Sequence, residues 1–336
     1  MGTLSTIALD AMSGDLGAEV VVQAAGESLK KYRHIELILV GDRSLLETLV
    51  TRIVGDDPRL RIVHASEVVA MSDAPGEAVR KKKDSSMRVA IDLVKSGEAQ
   101  ACVSAGNTGA LMATAKFVLK MLPGIDRPAI IAELPALAGS IHMLDLGANA
   151  ECTAEQLFQF ALMGSIVTAD IRRIDNPRVA LLNIGAEDTK GNGTVREAAA
   201  LLQASTLNYV GFIEGNDLFS GKADVVVTDG FSGNVALKAM EGIVGLIKHH
   251  MRRAFTRNWT SRLQALLAGP VLRRIARETD SRAYNGATLV GLNGIVIKSH
   301  GSADAYAFQH AIDTAVVEVR NQVPQQIGDL LRQEAA

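Results

Sequence analysis

Six polar loops carry most of the side chains in this sequence that could take part in chemistry. Each loop combines glycine with Asn, Ser, Asp or Thr after a short apolar run, and together they span residues 104–109, 145–151, 183–192, 213–217, 228–234 and 299–304. Glycine lets backbone N–H groups approach an anion, and the positive end of a following helix attracts it. A single such loop is typical of an ordinary turn, but six of them favour a shared anion-binding site.

The segments between these loops alternate between β-rich runs and helix-length stretches. Strands are expected at 6–11, 35–40, 60–65, 101–104, 129–134, 141–146, 178–184, 209–213, 224–228 and 294–298. Helices are expected at 19–31, 85–96, 110–121, 154–169, 194–205 and 234–254. This order predicts a three-layer α/β/α fold, in which helices cover both faces of a largely parallel sheet. Because the carboxyl ends of parallel strands share one edge, the six loops are expected to meet in one crevice.

One stretch, residues 246–277, is basic and apolar in a chain that is otherwise close to neutral. It holds eight Lys and Arg residues and no acidic residue. Its leucines follow helical spacing, and Gly269 and Pro270 are expected to break the helix into an apolar tip between two basic arms. We therefore expect one catalytic α/β domain over residues 1–336, from which a basic amphipathic helical hairpin projects at 245–280. The hairpin fits either a helix pair packed on the body or a partner subunit, or a reversible contact with an anionic bilayer or acidic protein.

Composition and missing motifs exclude several classes of function. The 336 residues carry 35 Lys and Arg against 37 Asp and Glu, and this net charge of -2 excludes a globally basic nucleic-acid-binding protein. No apolar run reaches the length of a membrane-spanning helix, and a signal peptide is not expected before the first strand. Cys102 and Cys152 lie far apart and indicate neither a disulfide framework nor a metal site. The dinucleotide, P-loop and nucleophile-elbow motifs are absent or broken, so no cofactor is expected.

Seven motifs, in order along residues 6–312, resemble the phosphate acyltransferase (PlsX) family of bacterial phospholipid synthesis. They are DAMSGD at 10–15, SDAPGEAVRKKKDSSM at 72–87, SAGNTG at 104–109, NIGAEDTKGN at 183–192, EGND at 214–217, TDGFSGN at 228–234 and KSHGSAD at 298–304. The sequence departs from the family at Ser13, where glycine is usual, and at 16–18, where a proline commonly follows. A small residue at position 13 is expected to preserve the loop.

The resemblance implies transfer of a long-chain fatty acyl group from acyl carrier protein to inorganic phosphate, which yields acyl phosphate. It also implies a homodimer, a fold like that of phosphotransacetylases and isocitrate-dehydrogenase-like enzymes, and a cytoplasmic protein held loosely at the inner face of the cell membrane. Two alternatives stay open. One is a phosphotransacetylase that acts on coenzyme A thioesters, and the other is a non-catalytic membrane scaffold.

The reaction suggests a role for each polar residue of these motifs. Ionised phosphate is already nucleophilic, so the enzyme mainly has to hold it against the thioester carbonyl and stabilise the oxyanion. The candidate catalytic residues are Lys190, Asn234, Lys298 and His300, of which His300 could also protonate the leaving thiolate. The candidate ligands of phosphate or the oxyanion are Ser104, Asn107, Thr108 and Asn192. The carboxylates expected to orient loops or cap helices are Asp10, Asp15, Asp145 and Asp229.

Two surfaces are assigned to larger partners. The cationic run of Arg80, Lys81, Lys82 and Lys83 suits the acidic surface of acyl carrier protein or its pantetheine phosphate, although a solvated helix face explains it equally well. On the hairpin, the residues predicted to contact the anionic cytoplasmic leaflet are Leu266, Leu267, Val271 and Leu272. The same hairpin could instead cover the acyl chain or join two subunits.

Overall fold

One sheet passes through the whole protein, for which a computed structural model describes residues 4–137, 139–278 and 280–334. Within those ranges the sheet has eleven strands: β1 Ser5–Asp10, β2 Ile35–Gly41, β3 Leu60–His64, β4 Ala101–Ser104, β5 Ala129–Ala136, β6 Gly139–Leu144, β7 Val179–Leu182, β8 Tyr209–Ile213, β9 Val225–Val227, β10 Ala287–Val290 and β11 Ile295–Lys298. Most of these strands are buried on both faces, which explains why they read as nearly continuous apolar runs.

Helices cover both faces of the sheet and complete the three layers that the sequence predicts. They are α1 Ala18–Lys31, α2 Arg43–Ile53, α3 Pro75–Lys81, α4 Ser86–Ser96, α5 Thr108–Leu119, α6 Ala154–Arg172, α7 Gly193–Gln203, α8 Gly230–Thr256, α9 Trp259–Glu278, α10 Ala305–Asn321 and α11 Val323–Glu334. Helices α4, α5 and the start of α8 share one core on one face of the sheet. On the opposite face, α1 and α10 cover one half of the sheet, and α6 and α7 cover the other half.

The strand order divides the sheet into two parallel halves that run in opposite directions. The order is β3-β2-β1-β4-β11-β10-β5-β6-β9-β7-β8. Strand β10 pairs antiparallel with both β11 and β5, and β5 pairs antiparallel with β6. The strands β1, β4 and β11 therefore end at one edge, called here the first edge, whereas β6, β7, β8 and β9 end at the opposite, second edge. The prediction that all six loops meet at one edge is wrong for this reason.

Helices α8 and α9 form the hairpin, but its tip differs from the predicted one. The turn lies at Arg257 and Asn258, between the end of α8 and the start of α9. Helix α9 continues through Gly269 and Pro270, so the prediction that these two residues break the helix is wrong. Proline removes one backbone donor, but the helix is exposed here, and water can satisfy the carbonyl that is left without that donor. No helix in the described ranges is both long and apolar enough to cross a bilayer.

Candidate active site

Three polar residues lie side by side where β1, β4 and β11 end at the first edge. Asp10 is the register partner of Ser104, and Ser104 is the register partner of Lys298. Each of them follows, two positions later, a buried apolar residue that packs into the core under α4 and α5. Because side chains alternate along a strand, all three point to that same face of the sheet.

Asp10 is a buried carboxylate that is only half satisfied. The Ser104 hydroxyl donates a hydrogen bond of 2.6 Å to Asp10 Oδ2 and accepts one of 3.1 Å from the Gly106 backbone N–H. The other oxygen, Oδ1, and the hydroxyl of nearby Ser13 are buried without a hydrogen-bond partner among the described residues. Buried polar groups without partners are uncommon in proteins, so this cluster has unused capacity to accept a hydrogen bond from a donor group, such as the P–O–H of a protonated phosphate, and to donate one from the Ser13 hydroxyl.

Lys298 is the cation at the centre of this cluster. Burial lowers the pKa of its ammonium group to about 8, and the nearby charge of Lys238 acts in the same direction. The carboxylates of Asp10 and Asp15 oppose that shift. The ammonium group donates to the backbone carbonyl of Ser299. At neutral pH it therefore stays protonated in a site of low polarity, where attraction to an anion is stronger than in water.

His300 lies directly after this strand and is mainly neutral at pH 7. Partial burial, together with the charge of Lys238, lowers the pKa of its imidazole below the usual value. Its Nδ1 lies 2.9 Å from the Ser302 hydroxyl, and its backbone N–H donates to Asn285 Oδ1 at 2.9 Å. A neutral imidazole is a poor proton donor, so this environment does not favour His300 as the acid for a leaving thiolate.

Helix α8 brings two charged residues to the first edge that the motifs did not indicate. Lys238 and Glu241 form an ion pair of 2.8 Å, and the charges of both act on His300. Lys238 follows Asn234 by one helical turn in the helix that the loop at 228–234 begins. That spacing of four residues is the sequence signal that could have found it.

Asn107 has its side-chain amide fully occupied by structural contacts. Its Oδ1 caps α5 by accepting the Ala110 N–H at 3.0 Å, and its Nδ2 donates to the carbonyls of Met71 and Asp73. The amide is thus not free to bind phosphate in this geometry. Thr108 begins α5, however, and the unpaired backbone N–H groups of that first turn lie directly after β4 at the first edge.

Asp145 organises the second edge and is fully engaged. Its Oδ1 accepts the N–H groups of Ile130, Gly147 and Ala148 at 3.0–3.2 Å. Its Oδ2 accepts the backbone and side-chain N–H groups of Asn149 at 2.7 and 2.9 Å. Burial raises the pKa of this carboxyl, and these hydrogen bonds oppose the rise. With five donors on two oxygens, Asp145 holds the loop at 145–151 in place.

The remaining predicted residues at the second edge lie at the starts of α7 and α8. Asp229 caps α8 by accepting the N–H and hydroxyl of Ser232, and Asn192 caps α7 by accepting the Val195 N–H. Asn234 is exposed on the first turns of α8 beside Gly147, and Lys190 is exposed in the loop before α7. The predicted site residues are thus divided between the two edges, and α8 runs from the second edge to the first.

The predicted carrier-binding run is also divided. Lys81 pairs with Glu77, and Lys82 bonds to Asp73 and to the carbonyl of Val68, so both are held by their own surroundings. Arg80 and Lys83 are exposed and line a surface groove with Phe117 of α5.

On the hairpin, the four predicted membrane-contact residues lie midway along α9 rather than at its tip. Leu266, Leu267 and Val271 are 74%, 76% and 62% exposed, while Leu272 is half-buried.

In the part of the chain that the structure describes, no three His, Cys, Asp or Glu side chains are grouped so that they could hold a metal ion.

The sequence has relatives of known name along almost its entire length. A family model described as "Fatty acid synthesis protein" matches residues 5–326. The phosphate acyltransferase of Methylococcus capsulatus is 56% identical over 97% of this chain and 96% of its own length. The phosphate acyltransferase of Nitrosococcus oceani is 57% identical over 96% of this chain and 95% of its own.

Two solved structures share the fold at low sequence identity. A phosphotransacetylase from Streptococcus pyogenes superposes with a TM-score of 0.63 at 20% identity, over 96% of this chain and 95% of that one. The EutD phosphotransacetylase from Staphylococcus aureus gives 0.60 at 17% identity, over 94% of both chains. The phosphotransacetylase-like fold predicted from the sequence is thus confirmed.

Proposed function

Since this chain belongs to the phosphate acyltransferase family and is an acyltransferase whose acceptor is phosphate, we propose that its donor is a long-chain fatty acyl group on acyl carrier protein. The observation that carries the proposal is the identity of 56–57% to phosphate acyltransferases over nearly the full length of both chains. The product is then acyl phosphate, which supplies phospholipid synthesis.

The first edge supports binding of the phosphate. In our proposal the anion lies against the Lys298 ammonium and the backbone N–H groups that begin α5, while the Ser104 hydroxyl, whose proton is donated to Asp10, holds that carboxylate beside them. A phosphate oxygen then attacks the thioester carbonyl carbon, the carbon–sulfur bond breaks, and the electron pair leaves with the pantetheine thiolate. The same donors stabilise the oxyanion that forms between these two steps. No protein nucleophile is required.

The residues of the second edge have a smaller proposed part. Lys190 and Asn234 are candidates for contacts to the thioester. Helix α8, which carries Asn234, runs from this edge towards the proposed phosphate position. A variant with Lys190→Ala and Asn234→Ala is expected to form acyl phosphate more slowly. Full activity in this variant would remove both residues from the site. Unchanged acyl phosphate formation in both this variant and a Lys298 variant would place the reaction outside the residues proposed at the two edges.

The choice of donor is tested by steady-state kinetics. We expect long-chain acyl carrier protein to give a higher kcat/KM than acetyl coenzyme A at saturating phosphate. A clear preference for acetyl coenzyme A would contradict the proposed donor and favour a phosphotransacetylase. Both donors carry pantetheine, so the comparison isolates the carrier and the acyl chain.

We also propose that the hairpin holds the protein reversibly at the inner face of the cell membrane. The support is the exposure of Leu266, Leu267 and Val271 on a helix with several arginines. Co-sedimentation with anionic vesicles should be lost in a Leu266→Glu, Leu267→Glu variant. A control with Gln264→Glu and Ala276→Glu adds the same charge at exposed positions of α9 and should still bind. Equal binding of both variants would contradict the proposal.

We propose further that the protein forms the homodimer that the sequence predicts. It would place a partner subunit against the apolar side chains that α8 and α9 expose, among them Ile243, Leu246 and Ile247. Sedimentation equilibrium should then give twice the mass of one chain, without vesicles. A monomer at all concentrations would contradict it.

A further inference from the structure

An exposed aromatic ring lies between two cations on the outer surface of α5. Phe117 is 54% exposed, although its large apolar ring would gain from burial. The Arg88 guanidinium lies 5.6 Å from the ring centre on one side, and the Lys120 ammonium lies 4.9 Å from it. Cations at these distances are attracted to the face of the ring and form part of the same surface.

This ring forms one wall of a groove of about 330 Å³ at the end of α3. The other lining residues are Val79, Arg80, Lys83 and Arg88. The groove therefore combines an apolar floor with a cationic rim, which is a composition that interface centres favour over the rest of a protein surface.

The rim carries positive charge that is not balanced within the described ranges. Arg88 pairs with Asp92 at 2.9 Å. By contrast, Arg80, Lys83 and Lys120 have no carboxylate within ion-pair distance in the residues that the structure describes. Three unpaired cations around an exposed ring attract a partner that presents carboxylates around an apolar side chain.

We propose that this groove, called here the Phe117 groove, docks the protein that carries the acyl group, through an acidic surface whose apolar side chain packs on Phe117. The proposal rests on the proposed function, because it assumes that the donor is a carrier protein. It assigns Phe117, Arg88 and Lys120 to the docking surface beside Arg80 and Lys83. Lys81 and Lys82 are excluded, since their side chains are already paired.

The position of the groove fits delivery of a thioester to the first edge. Helix α5 begins at Thr108, beside the Lys298 cluster, and Phe117 lies nine residues further along the same helix. At 1.5 Å per residue that separation is about 14 Å. The flexible prosthetic arm of a docked carrier could cross this distance, whereas the carrier protein itself would not contact the Lys298 cluster. Asn107 ties the start of α5 to the segment before α3, so the groove and the site are held on one rigid unit.

The test is a charge reversal with a matched control. We expect an Arg80→Glu, Lys83→Glu variant to lose about tenfold or more in kcat/KM for acyl carrier protein and to bind it correspondingly more weakly in calorimetry. A Phe117→Ser variant should lose affinity without changing the salt dependence. Both variants should keep the wild-type kcat/KM for an acyl-pantetheine thioester of the same chain. The control, Arg33→Glu with Arg173→Glu, reverses exposed cations near helices of the opposite face and should match the wild type.

Three results would overturn the proposal. The first is unchanged binding and turnover of the carrier by both variants. The second is an equal loss with the carrier and with acyl-pantetheine, which would place the groove in the chemistry. The third is that both variants bind the carrier as the wild type does but no longer bind anionic vesicles. The Phe117 groove would then contact a membrane and not the carrier. If wild-type enzyme prefers coenzyme A thioesters, the proposed donor fails instead, and that result is obtained before any variant is made.

Discussion

The two edges of the sheet use the same residue types in opposite ways. At the second edge, Asp145 accepts five hydrogen bonds and leaves no oxygen free. At the first edge, Asp10 keeps one buried oxygen without a partner and lies in the same row of the sheet as Lys298. A carboxylate whose lone pairs are all used by nearby N–H groups holds a loop, whereas a half-satisfied one beside a buried cation is available to a ligand.

On the basis of this difference we propose that the first edge carries the chemistry and that the second edge supports it. Helix α8 connects them, because it is capped by Asp229 at the second edge and carries Lys238 to the neighbourhood of Lys298. A substitution that shifts α8 at one edge can therefore also move residues at the other edge. Substitutions at matched positions of the two edges separate their contributions.

The largest effect on activity is expected from Lys298→Met. Loss of the buried cation should lower kcat/KM for phosphate by about 100-fold or more, because donors in a dry site contribute most to anion and oxyanion binding. Steady-state kinetics at pH 7 measures this. The matched variant Lys190→Met, at the second edge, should cost much less. A larger loss from Lys190→Met would reverse the assignment of the two edges.

The same Lys298→Met variant should unfold at a urea concentration equal to or higher than the wild type at pH 7. Burial lowers the pKa of this lysine, so the fold disfavours its protonated form, and removal of the charge relieves that cost. If the variant is strongly destabilised, Lys298 supports the fold, and its effect on activity would have a structural cause.

The second largest effect is expected on the stability of the fold and not on the rate of the reaction. Asp145→Ala should lower the free energy of unfolding by about 3 kcal/mol or more, because it leaves several buried donors without an acceptor. Equilibrium denaturation measures the loss. The activity per folded molecule at low temperature should stay close to that of the wild type. A variant that folds normally but is inactive would place Asp145 in the reaction.

A smaller effect is expected from Asp10→Asn, the conservative change at the first edge. The amide keeps the shape and the Ser104 contact, so stability should change little, while kcat/KM should fall about tenfold because Lys298 loses the carboxylate that favours its protonated, anion-binding form. Because the charge of Asp10 raises the pKa of Lys298, the alkaline limb of the pH–rate profile should move to lower pH. An unshifted profile would show that Asp10 does not act through Lys298.

The last prediction needs no substitution and uses the wild-type enzyme at different pH values. The KM for phosphate should stay low below pH 8 and rise by up to about tenfold for each pH unit above it, as Lys298 loses its proton. Over the same range the lysine binds its proton more tightly in the unfolded chain than in the folded one. Its contribution to stability therefore rises between pH 8 and the ordinary lysine pKa. A KM for phosphate that is constant from pH 7 to 9.5 would contradict the role of Lys298.

The sequence predicts the layers of this fold well but not the directions of its strands. The runs at 101–104 and 209–213 have the predicted bounds, since apolar periodicity and turn residues mark a strand directly. Strand β10 is missing from the prediction because it is four residues long and lies between two glycines, Gly286 and Gly291. Its omission does not explain the misplaced loops, because its two antiparallel pairings cancel; the halves are reversed by the antiparallel pairing of β5 with β6, two strands that were predicted but taken as parallel.

The sequence predicted only some of the contacts within the first-edge cluster, and the roles of its residues stay predictions. Ser104 and Lys298 stand out as polar ends of apolar runs, and the structure brings them together. Asn107 and Asn192 had the residue type for an anion site, but each directly precedes a helix, where the side-chain oxygen is used as a cap. Lys238 was missed because its helical spacing from Asn234 was not used, and its approach to Lys298 depends on the course of α8 across the sheet.

The most direct measurement is a crystal structure of the enzyme soaked in phosphate, compared with one of Lys298→Met under the same conditions. Phosphate is expected within hydrogen-bond distance of Lys298 Nζ and of the first backbone N–H groups of α5 in the wild type, and no phosphate is expected there in the variant. Phosphate bound instead at Lys190 and Asn192, at the second edge, would contradict it.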